Sequence, residues 1–261
     1  MDNINKYLKS KDSDMPKVFE VTSLIEFIEV AMYLYNGDRV IFRGQTTERE
    51  WPLVPSVGRS TDHSQFLQQE KEILEQFRRE SILHVAVVPA TLWQWLALAQ
   101  HNRLPTRLLD WTKNPLVGLW FAVKDPATKG EPGVVWAFHY EDAVFDSSDR
   151  DSPFSIDRTY VYFPEHVYPS IQAQDGVFTV HHKMGRDPEC FPSLEKHTRH
   201  PEEVLTKIHI PAAYFTTIRN DLFRVGISPS SLFPGLSGIV DSIRYDNMLC
   251  RDEKRLTDPC A

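Results

Sequence analysis

The chain has 261 residues, 41% of them hydrophobic and 25% charged, with a formal net charge of -7. That balance fits one soluble globular domain with a sizeable core and opposes nucleic acid as the main partner, because phosphate binding needs a basic face. Three cysteines, Cys190, Cys250 and Cys260, stand far apart with no pair at metal-ligand spacing, which points to a reducing compartment, the cytoplasm, without a disulfide framework.

Residues 1–15 are polar and read as a flexible tail without the apolar core of a signal peptide. Ser23 and Glu26 stand at capping-box spacing before Leu24, Phe27, Ile28 and Ala31, predicting a helix that ends near Asn36-Gly37. Arg39 to Arg43 has strand composition, closed by Gly44. A long amphipathic helix is expected over Gln65 to His84, and Thr91 with Gln94 opens another that runs to Gln100-His101.

Residues 104 to 123 mix charge with large apolar side chains more densely than any other stretch. Arg107 and Asp110 sit among Leu104, Leu108, Leu109, Trp111 and Leu116, where an unpaired charge is costly. The favoured expectation is an internal Arg107–Asp110 pair that scaffolds a site, with Thr112 as the residue of this stretch that touches a ligand. Asn114-Pro115 then starts a helix, whose N-terminal N–H groups favour an anion near Thr112. The longest uninterrupted apolar run, Pro115 to Val123, is half a membrane span, so no membrane partner is expected.

Gly133 to His139 reads as a strand, residues 141–166 as a loop insertion, and Ser170 to His181 as two strand segments broken at Asp175-Gly176. Residues 182–202 form a second polar insertion, Val204 to Ile210 a strand, and Ala212 to Val225 a helix stopped by Gly226. A helical segment follows Ser230, and residues 249–261 read as a tail, leaving 16–248 as the domain. Helices and strands come in blocks. The expected fold is therefore a single compact α+β domain with a central mixed or antiparallel sheet flanked by helices.

Four motifs occur in order: Phe42-Arg43-Gly44-Gln45; Ala99-Gln100-His101 with Leu104-Pro105-Thr106-Arg107-Leu108-Leu109-Asp110-Trp111-Thr112 and Asn114-Pro115; Gln174-Asp175-Gly176-Val177-Phe178-Thr179; and Leu232-Phe233-Pro234-Gly235-Leu236. Together they resemble the FRG-domain family over residues 20 to 245. A second similarity is to ADP-ribosyltransferases, which place an Arg at an early strand end, a Ser/Thr motif before a helix and a Glu on a late strand. In this chain Arg43-Gly44, Thr112 and Gln174 match that order, and the resemblance implies NAD as the substrate. Arg43 would hold the diphosphate or ribose, with Gly44 permitting close approach. Thr112 would orient the nicotinamide half and Gln174 the ribose.

Gln174 departs from the expected Glu, since a neutral amide does not stabilise developing positive charge; Asp110, Glu165 and Asp175 are the acidic substitutes. His101, at a helix end, is the general-base candidate or a helix cap. Trp111 and Trp120 are core or stacking aromatics. His181-His182 and His197 with His200, near Cys190 and Glu195, invite a metal reading but lack a supporting element, so no metal is expected.

The resemblance implies an ADP-ribosyltransferase-like or NAD-consuming effector, a toxin or phage-defence protein, acting on a small-molecule nucleotide, with a protein acceptor as a further candidate partner. The alternative is a non-catalytic module that binds a nucleotide or peptide in the same cleft. A nuclease fits the acidic balance less well.

Overall fold

A computed structural model describes residues 4–10, 16–35, 39–47, 53–59, 64–127, 130–140, 144–145, 152–165, 168–184, 191, 193–197, 204–245 and 247. Within the stretch read as a tail, β1 (Leu8–Ser10) pairs antiparallel with β2 (Lys17–Glu20), and Tyr7 is buried in the core. An apolar anchor among polar residues is enough to tie such a segment down. The helix α1 (Leu24–Leu34) starts at Ser23, whose side chain accepts from the Glu26 N–H. Glu26 returns its carboxylate to the Thr22 N–H rather than to Ser23, a capping box displaced by one residue.

The strand β3 (Val40–Gln45) runs on through Gly44. The helix α2 (Ser64–Ser81) contains a non-helical Gln69, and α3 (Leu92–His101) begins at the capping Thr91. After it come β4 (Leu108–Thr112), α4 (Pro115–Val123) capped by Asn114, and β5 (Gly133–His139). The expected loop 141–166 contains β6 (Val144–Phe145) and β7 (Tyr160–Tyr162). Two short strands at a sheet edge carry too few residues to show a period.

The largest difference from the sequence reading is at 169–180. Its first half is a short helix, α5 (Pro169–Ala173), and only the second half is a strand, β8 (Gly176–Val180). Pro169 at the first helical turn favours that start, and Asp175 makes the reversal with φ of 47°. The remaining elements are α6 (Leu194–His197), β9 (Leu205–Ile210), α7 (Phe215–Arg224), α8 (Pro229–Leu232) and α9 (Leu236–Arg244). Residues 249–261 lie outside the described residues.

Among the described residues the strands form one nine-stranded mixed sheet, β1-β2-β9-β5-β3-β4-β8-β7-β6. The pairs β2–β9 and β6–β7 are parallel and the rest antiparallel. This is a single α+β domain. Alternation along the strands sorts side chains to two faces. Phe42 pairs with Thr112, which shares a face with Leu108, so β3 and β4 present these residues to one side.

That side carries two helical lobes. In one, α1, α4 and α7 bury Phe27, Val117, Leu119 and Ile218 over β3, β5 and β9. In the other, α2 and α3 bury Leu74, Trp93, Trp95 and Leu96 over β4, β7 and β8. The opposite face packs Ile41, Leu109, Trp111, Trp136 and Val177 beneath Leu53 and Leu194.

The join between the lobes is where the sheet is weakest. β3 and β5 are paired in register from Val40 to Gln45, whereas β3 and β4 share only the Phe42–Thr112 pairing. Beyond it the two strands part, leaving backbone groups that need other partners.

Candidate active site

A cavity of about 420 Å³ opens at that fork. Phe42, Arg43 and Gly44 line it from β3, Gln100, His101 and Arg103 from the end of α3, and Asp110, Trp111 and Thr112 from β4. Phe121, Gln174 and Phe233 close it. A shallower groove of about 320 Å³ shares Arg43, Gly44 and Phe121 and extends past Arg59, Lys124 and Asp125.

Arg43 spans the fork. Its Nη1 donates to the Asp110 backbone oxygen at 2.7 Å and lies 3.8 Å from Asp110 Oδ2, supplying a contact that the ladder lacks. The Nε–H of the same guanidinium is buried with no hydrogen-bond partner among the described residues, an arrangement that leaves a donor's desolvation uncompensated. Burial pushes the Arg43 pKa down to about 10; the Asp110 charge opposes the fall and Arg59 adds to it. The group is still a cation at neutral pH.

Asp110 is not the buried partner of Arg107. Its side chain is 59% exposed, and Oδ2 accepts from Gln100 Nε2 at 2.9 Å. Gln100 is itself oriented by Thr106, whose hydroxyl donates to Oε1 at 2.7 Å. Arg107 pairs with Glu70 instead, Nε and Nη2 donating to the two carboxylate oxygens at 2.9 and 2.6 Å. Nη1 donates to the Pro153 carbonyl, and the Phe154 and Phe191 rings flank the guanidinium. The expected internal ion pair therefore exists with a partner 37 residues away in sequence, supplied by α2 just after its break at Gln69.

Gly44 has a packing reason that differs from ligand approach. A Cβ at this position would lie 1.9 Å from the Gly118 oxygen and 2.6 Å from the Ala122 nitrogen, so α4 rests directly on the β3 backbone. The rest of this motif divides by strand alternation: Phe42 is core, Arg43 reaches the cleft, and Gln45 Oε1 accepts from Trp136 Nε1 at 2.9 Å.

Thr112 is buried, and its hydroxyl donates to the Gln174 carbonyl at 2.6 Å while accepting the Asn114 N–H at 3.0 Å. It fastens the turn into α4 to the link between α5 and β8. Gln174 lines the cleft, with Nε2 donating to the Leu232 carbonyl at 3.1 Å. His101 ends α3 at the cleft rim, stacks on Tyr168 at 5.9 Å and has Ser170 Oγ 3.2 Å from Nδ1.

Of the three acidic substitutes, Asp110 lines the cleft. Asp175 pairs with Lys113 Nζ at 2.8 Å, and Glu165 accepts from Gln94. Trp111 donates from Nε1 to Thr179 Oγ1 at 3.0 Å and is 3% exposed, and Trp120 packs on Phe121 and Phe233. Besides the buried Phe42 and Trp111, the cleft's aromatic lining is Phe121 and Phe233, which sequence reasoning missed. No spacing rule joins residues 112 positions apart, although Phe233 lies within the fourth motif.

Among the described residues no cluster of His, Cys, Asp and Glu could hold a metal ion; Cys190 and His200 lie outside them. Nor is any helix there long and apolar enough to cross a membrane. Residues 38–131 match the family model described as FRG domain, a span from the start of β3 to just before β5 that includes Arg43, His101, Asp110 and Thr112. No curated protein and no solved structure matches the chain.

Proposed function

Because this chain carries an FRG domain over residues 38–131, with a cleft at its centre, we propose that it binds NAD there and breaks the bond between nicotinamide and ribose. A cavity of about 420 Å³ falls within the usual size range for small-molecule sites, and the adjoining groove with Arg59 and Lys124 offers room for the second nucleotide half. The observation that carries the reading is the buried Arg43 Nε–H without a partner, held beside an open Asp110 carboxylate. A diphosphate or ribose oxygen satisfies that donor.

Asp110 takes the part that the transferase resemblance assigns to Gln174. When the C1′–N1 bond breaks, its electron pair leaves with nicotinamide, which becomes neutral, and positive charge develops on the ribose. A fixed carboxylate stabilises that charge far better than an amide does. Water, or a side chain of a protein acceptor, forms the new bond to C1′ and passes its proton to His101 at the cleft rim. Phe121 and Phe233 flank the rings. Such an activity suits the toxin or phage-defence setting that the resemblance implies.

The second reading is a binding module without turnover, favoured by the ties that already hold Thr112 and Gln174 to backbone carbonyls. Calorimetry with NAD, combined with chromatography for released nicotinamide, separates the two. The enzyme reading expects binding that Arg43→Ala abolishes, and release that Asp110→Asn lowers about 10²-fold or more with binding retained. Binding without release leaves the module; no binding removes both nucleotide readings.

A further inference from the structure

Arg103 occupies a left-handed backbone conformation, φ 67°, at the end of α3. The helix closes there by a Schellman motif, with the Arg103 N–H bonded to the Gln100 oxygen and the Leu104 N–H to the Ala99 oxygen, both at 3.0 Å. Glycine is the favoured residue at that position and asparagine the next best. Asn102 stands one residue too early and uses its side chain on the Leu98 oxygen at 2.9 Å. A long β-carbon-bearing residue thus holds the strained place. Its side chain is exposed, no carboxylate among the described residues pairs with it, and it lines the cleft that Arg43 lines from β3. Strain retained at a cleft rim points to use.

We propose that Arg103 is an anion-binding residue, and that its guanidinium and that of Arg43 grip one diphosphate from two sides of the cleft. This rests on the nucleotide reading above for the identity of the natural ligand. It does not rest on it for the diphosphate chemistry. In a chain of net charge -7, two guanidiniums against one carboxylate, Asp110, line this cavity, a local excess of positive charge that accepts an anion.

Titration calorimetry of the full chain with NAD and, separately, with inorganic pyrophosphate tests this in the wild type, Arg103→Gly and Arg103→Lys. Glycine relieves the backbone, so the Tm of Arg103→Gly is expected to equal or exceed that of the wild type while its affinity for both probes falls at least tenfold. Arg103→Lys keeps the charge and loses less. Equal NAD binding by the wild type and Arg103→Gly overturns the proposal and leaves the NAD reading standing. Pyrophosphate binding that Arg103→Gly weakens, with no NAD binding, supports Arg103 and removes NAD. A wild type that binds neither probe overturns both. A Tm several degrees lower in Arg103→Gly overturns the proposal, because the arginine is then structural.

Discussion

Two arginine–carboxylate pairs flank β4, and they are built in opposite ways. Arg107 and Glu70 have side chains only 4% and 7% exposed and meet in a bidentate fork. Arg43 and Asp110 stand 3.8 Å apart, with the carboxylate 59% exposed and one guanidinium nitrogen unpartnered. The closed pair has spent its hydrogen-bonding capacity on the protein. The open pair has capacity left, and it borders the cavity. Saturation of donors, and not how apolar the neighbouring sequence is, separates an arginine closed within the protein from one with a donor left for the cavity.

The comparison breaks most visibly if the closed pair proves dispensable. Removing one partner of a buried, hydrogen-bonded ion pair strands the other charge, so Glu70→Ala and Arg107→Ala are each expected to cost about 3–5 kcal/mol. Urea unfolding measures it. Replacing both by Leu and Met is expected to recover most of that loss, since desolvation offsets much of a buried pair's attraction. A next smaller loss is expected at Gly44. A methyl placed 1.9 Å from the Gly118 oxygen has no room, so Gly44→Ala is expected to reach the top of the ~1–3 kcal/mol range for overpacking. That loss, present without any ligand, separates packing from ligand approach as its role.

Much of this was legible from residues 99 to 123. Leu108 reads as part of an apolar wall, Trp111 as core or stacking and Asn114 as a cap; Leu108 and Trp111 are buried and Asn114 caps α4, because helix-start chemistry and hydrophobic pattern are local. The partner of Arg107 was not legible. Glu70 lies on α2 among other acidic residues of an amphipathic helix, and only the break at Gln69 and the tertiary approach of α2 single it out. The fold's sheet order was hidden for the same reason: β3 pairs with β5 and barely with β4, and period-2 alternation sets faces without setting neighbours. At 169–173 a five-residue helix is too short to develop a 3.6-residue period, so strand-like composition won the reading.

Thr112 tests the ground between scaffold and site. Its hydroxyl bridges the Gln174 oxygen and the Asn114 N–H, so Thr112→Val is expected to cost about 1 kcal/mol through lost hydrogen bonds. If the threonine is purely a fastener, NAD affinity in Thr112→Val follows that stability loss and no more. A larger drop in affinity, with the fold intact, returns Thr112 to direct ligand contact.

The smallest expected change in stability is at the residue with the largest expected change in function. Asp110→Asn keeps an oxygen for the Gln100 amide, and the exposed carboxylate loses only a solvent-screened attraction to Arg43. The expected shift in unfolding free energy is within about 0.5 kcal/mol. Turnover is expected to fall about 10²–10³-fold, because the carboxylate stabilises the positive charge that develops on the ribose in the transition state. Asp110 also supplies the influence that raises the Arg43 pKa against its burial. In Asp110→Asn that pKa is expected to move further down, and ¹⁵N NMR titration of the guanidinium reads it. An upward or absent movement dissolves the open pair as an electrostatic unit. A stability loss matching that of Glu70→Ala erases the distinction between the two pairs altogether.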